Sequence, residues 1–135
     1  MANGLYDVAR EAFLTAGLSW SADTFKAVLV DTALYAVDLA AHTALSNIAA
    51  GARIATSAAF TAKTTTGGAA DAADLTFTLV TGASCEALVI YKDTGVEATS
   101  TLVAYIDTAT GLPVTPGGGN ITVTWDNGTN KIFKL

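Results

Sequence analysis

The most constraining feature of this 135-residue chain is a series of short apolar segments in its C-terminal half, each followed by a turn signal. The segments are rich in Thr, Val and Ile, which favour β-strands, and glycine-containing turns or loops separate them. Regular spacing of this kind is typical of a compact antiparallel β domain, either a sandwich or a small barrel. The strands predicted in this half are residues 75–80, 87–92, 101–107, 121–126 and 131–135.

The N-terminal segment, residues 1–20, is predicted to contain an amphipathic helix that packs on the sheet or on a partner. Asn3 is a candidate for the N-cap, and Gly17 suits the position just after the end of the helix. Residues 4–16 carry apolar side chains at the i, i+3, i+4, i+7 spacing of one helical face. Those side chains are Leu5, Val8, Ala9, Ala12 and Phe13.

Two more strands are predicted between this helix and the C-terminal half. Residues 24–31 form the first, and the apolar side chains on both of its faces indicate that both faces are covered. Residues 53–61 form the second. Between them, residues 33–48 predict an irregular crossover with one helical turn near residues 43–47.

Turn chemistry supports the same division of the chain. Asp31, Asp93 and Asp107 each follow an apolar segment, where an aspartate accepts a hydrogen bond from the backbone two residues on. Asn127-Gly128 predicts a tight hairpin, because this pair adopts the positive φ angles that such a turn needs, and residues 113–119 predict one long flexible loop. The fold expected for residues 1–135 is a single antiparallel β-sandwich of Greek-key or jelly-roll type with one N-terminal helix.

Composition and charge exclude several classes of protein. Apolar residues make up 51% of the chain, charged residues only 14%, and the net charge is −5 at pH 7. The basic residues are scattered singly, so no nucleic-acid partner is expected, because phosphate binding needs clustered Lys and Arg. No apolar stretch approaches the ~20 residues of a membrane-spanning helix, and no signal peptide is recognisable. We therefore expect synthesis and folding in the cytoplasm and no membrane partner.

No residue pattern predicts catalysis or metal binding. His42 is the sole histidine, and it is interpreted as a loop or interface residue because the sequence places no nucleophile beside it. Cys85, the single cysteine, is interpreted as a buried structural thiol without an intramolecular disulfide. One Cys and one His are too few for a zinc site, and the Asp pairs lack the ligand spacing of a calcium loop. The chain is predicted not to be an enzyme, with no catalytic residue, no cofactor and no metal.

Several segments together form a recognisable pattern that extends over nearly the whole chain. They are YDVAREAFL at residues 6–14, FKAVLVDT at 25–32, ALVIYKDTG at 87–95, LVAYIDTATGLPV at 102–114, GGNITVTWDNG at 118–128 and KIFKL at 131–135. The chain resembles small virion proteins of tailed bacteriophages in these segments. These motifs are structural, so the resemblance carries no catalytic residue.

The resemblance implies a structural protein of the particle, most similar to a head decoration (cement) protein. Such proteins sit on the outer surface of the capsid, often as trimers, and bridge neighbouring subunits of the major capsid protein. The implied partners are therefore the major capsid protein and further copies of this chain, with a homotrimer favoured. One alternative is a component of the tail or baseplate. Another is a carbohydrate-binding adhesion module that would use Trp125, Tyr91 or Tyr105 on an exposed face.

Two segments are the candidate contact surfaces in such an assembly. One is the amphipathic segment 5–20, and the other is the loop formed by residues 112–120. Linking many copies on a lattice multiplies the effect of weak contacts, so each surface can be small. The candidate interface residues are Leu5, Tyr6, Phe13, Trp20, Leu112, Pro113 and Val114.

Overall fold

We describe residues 3–135 of a computed structural model of the protein. They form one α-helix, α1 (Asp7–Leu14), nine short β-strands and three 3₁₀ turns. The strands are β1 (Gly4–Leu5), β2 (Phe25–Val30), β3 (Arg53–Thr56), β4 (Ala69–Ala70), β5 (Leu75–Phe77), β6 (Ala87–Lys92), β7 (Leu102–Ile106), β8 (Ile121–Val123) and β9 (Phe133–Lys134).

A five-stranded antiparallel sheet with the order β1-β7-β6-β2-β3 lies at the centre of the fold. Its longest pairing joins β2 to β6 over six residues, from Phe25 opposite Lys92 to Val30 opposite Ala87. The remaining strands form two separate two-stranded sheets, β4-β9 and β5-β8. The prediction of a mainly β chain with antiparallel pairing and one helix is therefore confirmed. The two small sheets alone do not establish the second layer of a sandwich.

Both faces of the central sheet are covered, as the pattern of residues 24–31 predicts. Phe25, Ala27 and Leu29 of β2 lie in one hydrophobic cluster, which also contains side chains of α1, β4, β5 and β8. Val28 and Val30 lie in a second cluster on the opposite face. Residues 31–52 supply much of that second cover. They contain two 3₁₀ turns: Leu45–Asn47 lies where the sequence predicts one, whereas Ala50–Ala52 was not predicted.

The helix begins later than the periodicity predicts. Gly4 and Leu5 pair with β7, so α1 starts at Asp7. Asn3 is consequently not the N-cap. Its amide oxygen accepts the Asp107 N–H at 2.8 Å, and its amide nitrogen donates to the Thr108 hydroxyl at 2.6 Å. Backbone pairing with β7 thus takes precedence over the helical preference of these first residues.

The helix ends at Leu14, two residues before the predicted end at residue 16. The positive φ angle of 62° lies at Ala16, directly before Gly17. The N–H of Gly17 then donates to the carbonyl of Ala12 at 2.7 Å, which closes the last turn. Leu18 follows at once and is buried, because the chain turns back onto the sheet.

Six of the seven predicted strands are shorter in the structure, whereas the bounds of β6 match the prediction. Residues 53–61 pair regularly only as far as Thr56. Residues 75–80 stop being a strand at Phe77, and Leu79 turns the backbone with a φ of 50°. β8 covers only the first half of residues 121–126, and β9 covers two of the residues 131–135. Apolar composition therefore marked these segments correctly but overstated their length.

The predicted hairpin at Asn127-Gly128 is wrong. β8 pairs with β5 and β9 pairs with β4, so the two strands that flank this turn are not partners. Asp126 instead accepts the Gly128 N–H at 3.0 Å in a local turn. The aspartate turns predicted at Asp31 and Asp93 are present, with bonds from the N–H groups two residues on at 2.9 and 3.0 Å.

Candidate contact surface

Three of the seven predicted interface residues belong to the hydrophobic core. Tyr6 is fully buried, and Leu5 and Trp20 are 6% exposed. Their side chains therefore stabilise the fold and offer no surface to a partner, which corrects the assignment of segment 5–20. Phe13 is half-buried, and its ring packs against Phe133 with the centroids 6.1 Å apart.

Trp20 is buried because it is the centre of an aromatic cluster. Its ring centroid lies 4.7 Å from that of Phe25, 5.4 Å from Phe133 and 5.9 Å from Phe60. The indole Nε1–H donates to the carbonyl of Asp71 at 3.1 Å, so its polar group is satisfied. The cluster joins the segment after α1 to the start of β2 and to two distant parts of the chain, at Phe60 and Phe133.

The Tyr6 side chain packs in the second hydrophobic cluster, and a chain of hydrogen bonds satisfies its buried hydroxyl. That hydroxyl lies 2.8 Å from the Tyr35 hydroxyl, which lies 2.9 Å from Nδ1 of His42. Burial raises the pKa of both tyrosines, and the Asp38 N–H also donates to Nδ1 of His42 at 3.3 Å. His42 is thus a loop histidine that helps to hold residues 31–52 against the start of α1.

The second predicted surface, residues 112–120, is not a loose loop. It runs beside residues 79–85, and Val114 and Cys85 exchange both backbone hydrogen bonds, at 2.8 and 2.9 Å. Val80 donates to the carbonyl of Gly119 at 3.0 Å and accepts from Gly118 at 2.8 Å. We call these two paired segments, residues 79–85 and 112–120, the uncharged ribbon. Its backbone is held in place, which corrects the prediction of a flexible loop.

The ribbon owes its name to its composition. Residues 75–85 and 108–125 contain no Asp, Glu, Lys or Arg, and the fold brings these two stretches side by side. Leu79 projects from the ribbon and is 75% exposed. The centre of a protein interface is depleted in charged residues, so the ribbon has the composition of a contact surface.

The ribbon contains the last three of the predicted interface residues and several residues that were not predicted. Pro113 is exposed, whereas Leu112 and Val114 are half-buried against the core. Leu79 and the rest of residues 79–85 were not predicted as contact surface. The available signal was the matching absence of charge in residues 75–85 and 108–125.

Within residues 3–135, no three His, Cys, Asp or Glu side chains lie together in a way that would hold a metal ion. No helix in that range has the length and apolar character needed to span a lipid bilayer.

The rings proposed for sugar binding are not on the surface. Trp125, Tyr91 and Tyr105 are each 4% exposed. Trp125 also uses its Nε1–H to donate to the carbonyl of Ala73 at 3.1 Å. Stacking on a sugar requires an exposed ring face, and none of the three rings proposed for carbohydrate binding has one.

Cys85 is fully buried, and we expect its thiol to be unreactive in the folded protein. Burial raises its pKa to about 11, and the nearby carboxylates of Glu86 and Asp31 act in the same direction. Because the thiolate is the reactive form, alkylation by iodoacetamide at pH 8 should be about a hundredfold slower in native protein than in urea-unfolded protein. Equal rates would contradict this assignment.

The same raised pKa sets the sign of a pH effect on stability. The folded state favours the neutral thiol. The contribution of Cys85 to the free energy of unfolding is therefore complete below the pKa of the unfolded thiol, near 8.5, and is lost as pH rises toward 11. The urea midpoint of the native sequence should therefore fall more steeply over this range than that of Cys85→Ala. This variant is the control, because it leaves the titration of the lysines and tyrosines unchanged.

No protein-family model matches the chain, and no curated protein matches its sequence.

Proposed function

We propose that this protein is a structural component of a tailed-bacteriophage virion, a head decoration protein that bridges and stabilises major capsid subunits on the outer surface of the head. The resemblance of its sequence motifs to small phage virion proteins supports the proposal. Its partners are the major capsid protein and further copies of itself, most simply in a trimer. It performs no catalysis and requires no cofactor.

The uncharged ribbon is the observation that carries this proposal. Charged residues are found mostly at the surface of soluble domains, yet here two stretches without charge are paired and present an exposed leucine. The ribbon backbone is fixed by hydrogen bonds, so little conformational entropy is lost when a partner covers it. Each contact is small, and a lattice of many copies makes small contacts sufficient.

For the fold, we propose a β-sandwich of Greek-key or jelly-roll type. The central sheet would form one layer, and the β4-β9 and β5-β8 sheets would form the other. The first hydrophobic cluster supports this arrangement, because it contains side chains from the central sheet and from all of the two-stranded sheets. A compact sandwich suits a repeated building block, since its loops and edges are available for contacts.

The test is attachment to purified, expanded capsids that lack the protein. We expect the native sequence to bind the outside of the capsids and raise their resistance to heat, and Leu79→Asp to bind about tenfold or more weakly, since it places a charge in the contact surface. The φ of 50° at residue 79 suits Asp, so folding should change little. Sedimentation with capsids and thermal unfolding of the free protein measure the two effects.

Leu34→Asp is the matched control, because Leu34 is also exposed but lies outside the ribbon. It adds the same charge and should bind capsids as the native sequence does. Equal loss in both variants would show that the ribbon is not the contact surface. Failure of the native protein to bind capsids, with immunolabelling of tails instead, would move the assignment to a tail or baseplate component.

A further inference from the structure

A groove of about 680 Å³ is lined by residues of both β1 and β9. The end of β7 and residues 125–126 and 130–135 also line it. Phe133 is half-buried in its wall, whereas Tyr105 and Trp125 lie at its base with almost no exposed surface. Its volume lies in the range of about 300–1,000 Å³ that is usual for ligand sites.

The edge of β1 presents unpaired backbone groups at this groove. Opposite residues in an antiparallel pair alternate between hydrogen-bonded and non-hydrogen-bonded positions. The Tyr6 N–H donates to the Val103 carbonyl at 3.0 Å, so Leu5, opposite Ala104, occupies a non-hydrogen-bonded position. The N–H and C=O of Leu5 therefore point away from β7, and neither has a backbone partner among residues 3–135.

β9, which also lines the groove, has the same property. The Leu135 N–H donates to the Gly68 carbonyl at 3.1 Å, and Lys134 lies opposite Ala69. The alternation then directs the N–H and C=O of Lys134 away from β4. Within the described residues its N–H has no hydrogen-bond acceptor. Two strand edges with free backbone groups thus border one cavity.

The charge of the groove is opposite to that of the protein. Arg10, Lys131 and Lys134 line it, three of the seven basic residues in a chain whose net charge is −5. Asp126 is the one acidic side chain among the lining residues, and it already accepts the Gly128 N–H. Among the described residues, Arg10 makes a long, exposed contact with Asp7 at 4.0 Å, and the Lys131 ammonium donates to the Asn127 carbonyl at 3.4 Å. Both contacts are long, so these cations can pair with an anionic partner.

We propose that this groove binds an extended acidic peptide segment, supplied by a neighbouring subunit of the virion. The main chain of the segment pairs with the free edges of β1 and β9, and its carboxylates pair with Arg10, Lys131 and Lys134. An extended segment suits the site because its main-chain N–H and C=O groups, which alternate in direction along the strand, can pair with the free groups of a strand edge. The identity of the neighbour rests on the proposed function, whereas the chemistry of the site does not.

The test uses the purified protein and synthetic peptides, so it does not depend on capsid attachment. The probe is a fluorescein-labelled decapeptide that alternates Glu and Val, and its affinity is measured by fluorescence anisotropy. We expect saturable binding of this peptide. N-methylation of every Val, or of every Glu, removes the backbone donors along one edge of the peptide and should lower its affinity about tenfold or more. A peptide that alternates Lys and Val should bind at least about tenfold more weakly than the acidic one.

The groove is tested with Lys131→Gln/Lys134→Gln, which should weaken binding of the acidic peptide about tenfold or more. The control is Ser46→Glu/Ala98→Glu, which changes the net charge equally at exposed positions outside the groove. It should retain the native affinity. The proposal is overturned if the acidic peptide does not bind, if both N-methylated peptides bind as well as the parent, or if the two double variants behave alike.

Discussion

Replacing Trp20 with alanine is expected to lower the free energy of unfolding by about 3–5 kcal/mol, because the substitution removes a large buried side chain and leaves a cavity. The loss includes the ring contacts with Phe25, Phe60 and Phe133 and the hydrogen bond to the carbonyl of Asp71. That carbonyl also bonds the Thr64 N–H, so it is not left without a partner. Urea unfolding followed by far-UV circular dichroism measures the change.

Leu14→Ala is the control for this experiment. Leu14 belongs to the same N-terminal segment but is 87% exposed, so the free energy of unfolding should change by no more than about 0.5 kcal/mol. The pair separates two roles for the segment. If Trp20→Ala folded as stably as the native protein and failed only in assembly, Trp20 would be an interface residue, as the amphipathic pattern predicted, and the core assignment would be wrong.

Gly111→Ala should be the second most damaging of the substitutions considered. A Cβ at this position would lie 2.4 Å from the carbonyl oxygen of Thr122, and the backbone φ of 107° is unfavourable for any residue with a side chain. Strain and the required backbone shift should cost about 2–4 kcal/mol of stability. Since Gly111 directly precedes the uncharged ribbon, capsid attachment should also weaken.

Gly117→Ala is the matched control within the same segment. No atom lies within 4 Å of a Cβ at residue 117, and its φ is not positive. Its thermal midpoint should remain that of the native protein. A large loss of stability in Gly117→Ala, or none in Gly111→Ala, would contradict the packing of residues 112–120 against β8 and residues 79–85.

Much of the local structure was predictable because it depends on neighbours in sequence. The alternating pattern of residues 24–31 placed side chains of β2 on two covered faces, and both hydrophobic clusters exist. The bounds of β6 and the helical turn Leu45–Asn47 also follow from composition and spacing. The turns at Asp31 and Asp93 form because a carboxylate reaches the N–H two residues away in any context.

The candidate surfaces were harder to predict, because exposure is a property of the whole fold. Helical periodicity marks an apolar face without indicating whether the core or a partner covers it. Leu5, Tyr6 and Trp20 carried that ambiguity, and the core covers them. In contrast, the lack of charge in residues 75–85 was visible in the sequence. It indicated a contact surface only once the hydrogen bonds between Cys85 and Val114 placed residues 79–85 beside residues 112–120.

Sequence alone established that the chain is built from short antiparallel strands with a low charge and two long uncharged stretches, because periodicity, turn chemistry and composition are local properties. Tertiary structure decided which strands pair, which aromatic rings are buried and where backbone edges remain free. The hairpin at Asn127-Gly128 failed for this reason, since β8 and β9 each gain more by pairing with distant strands. Those choices depend on contacts between residues far apart in the chain, whose free energies no local pattern records.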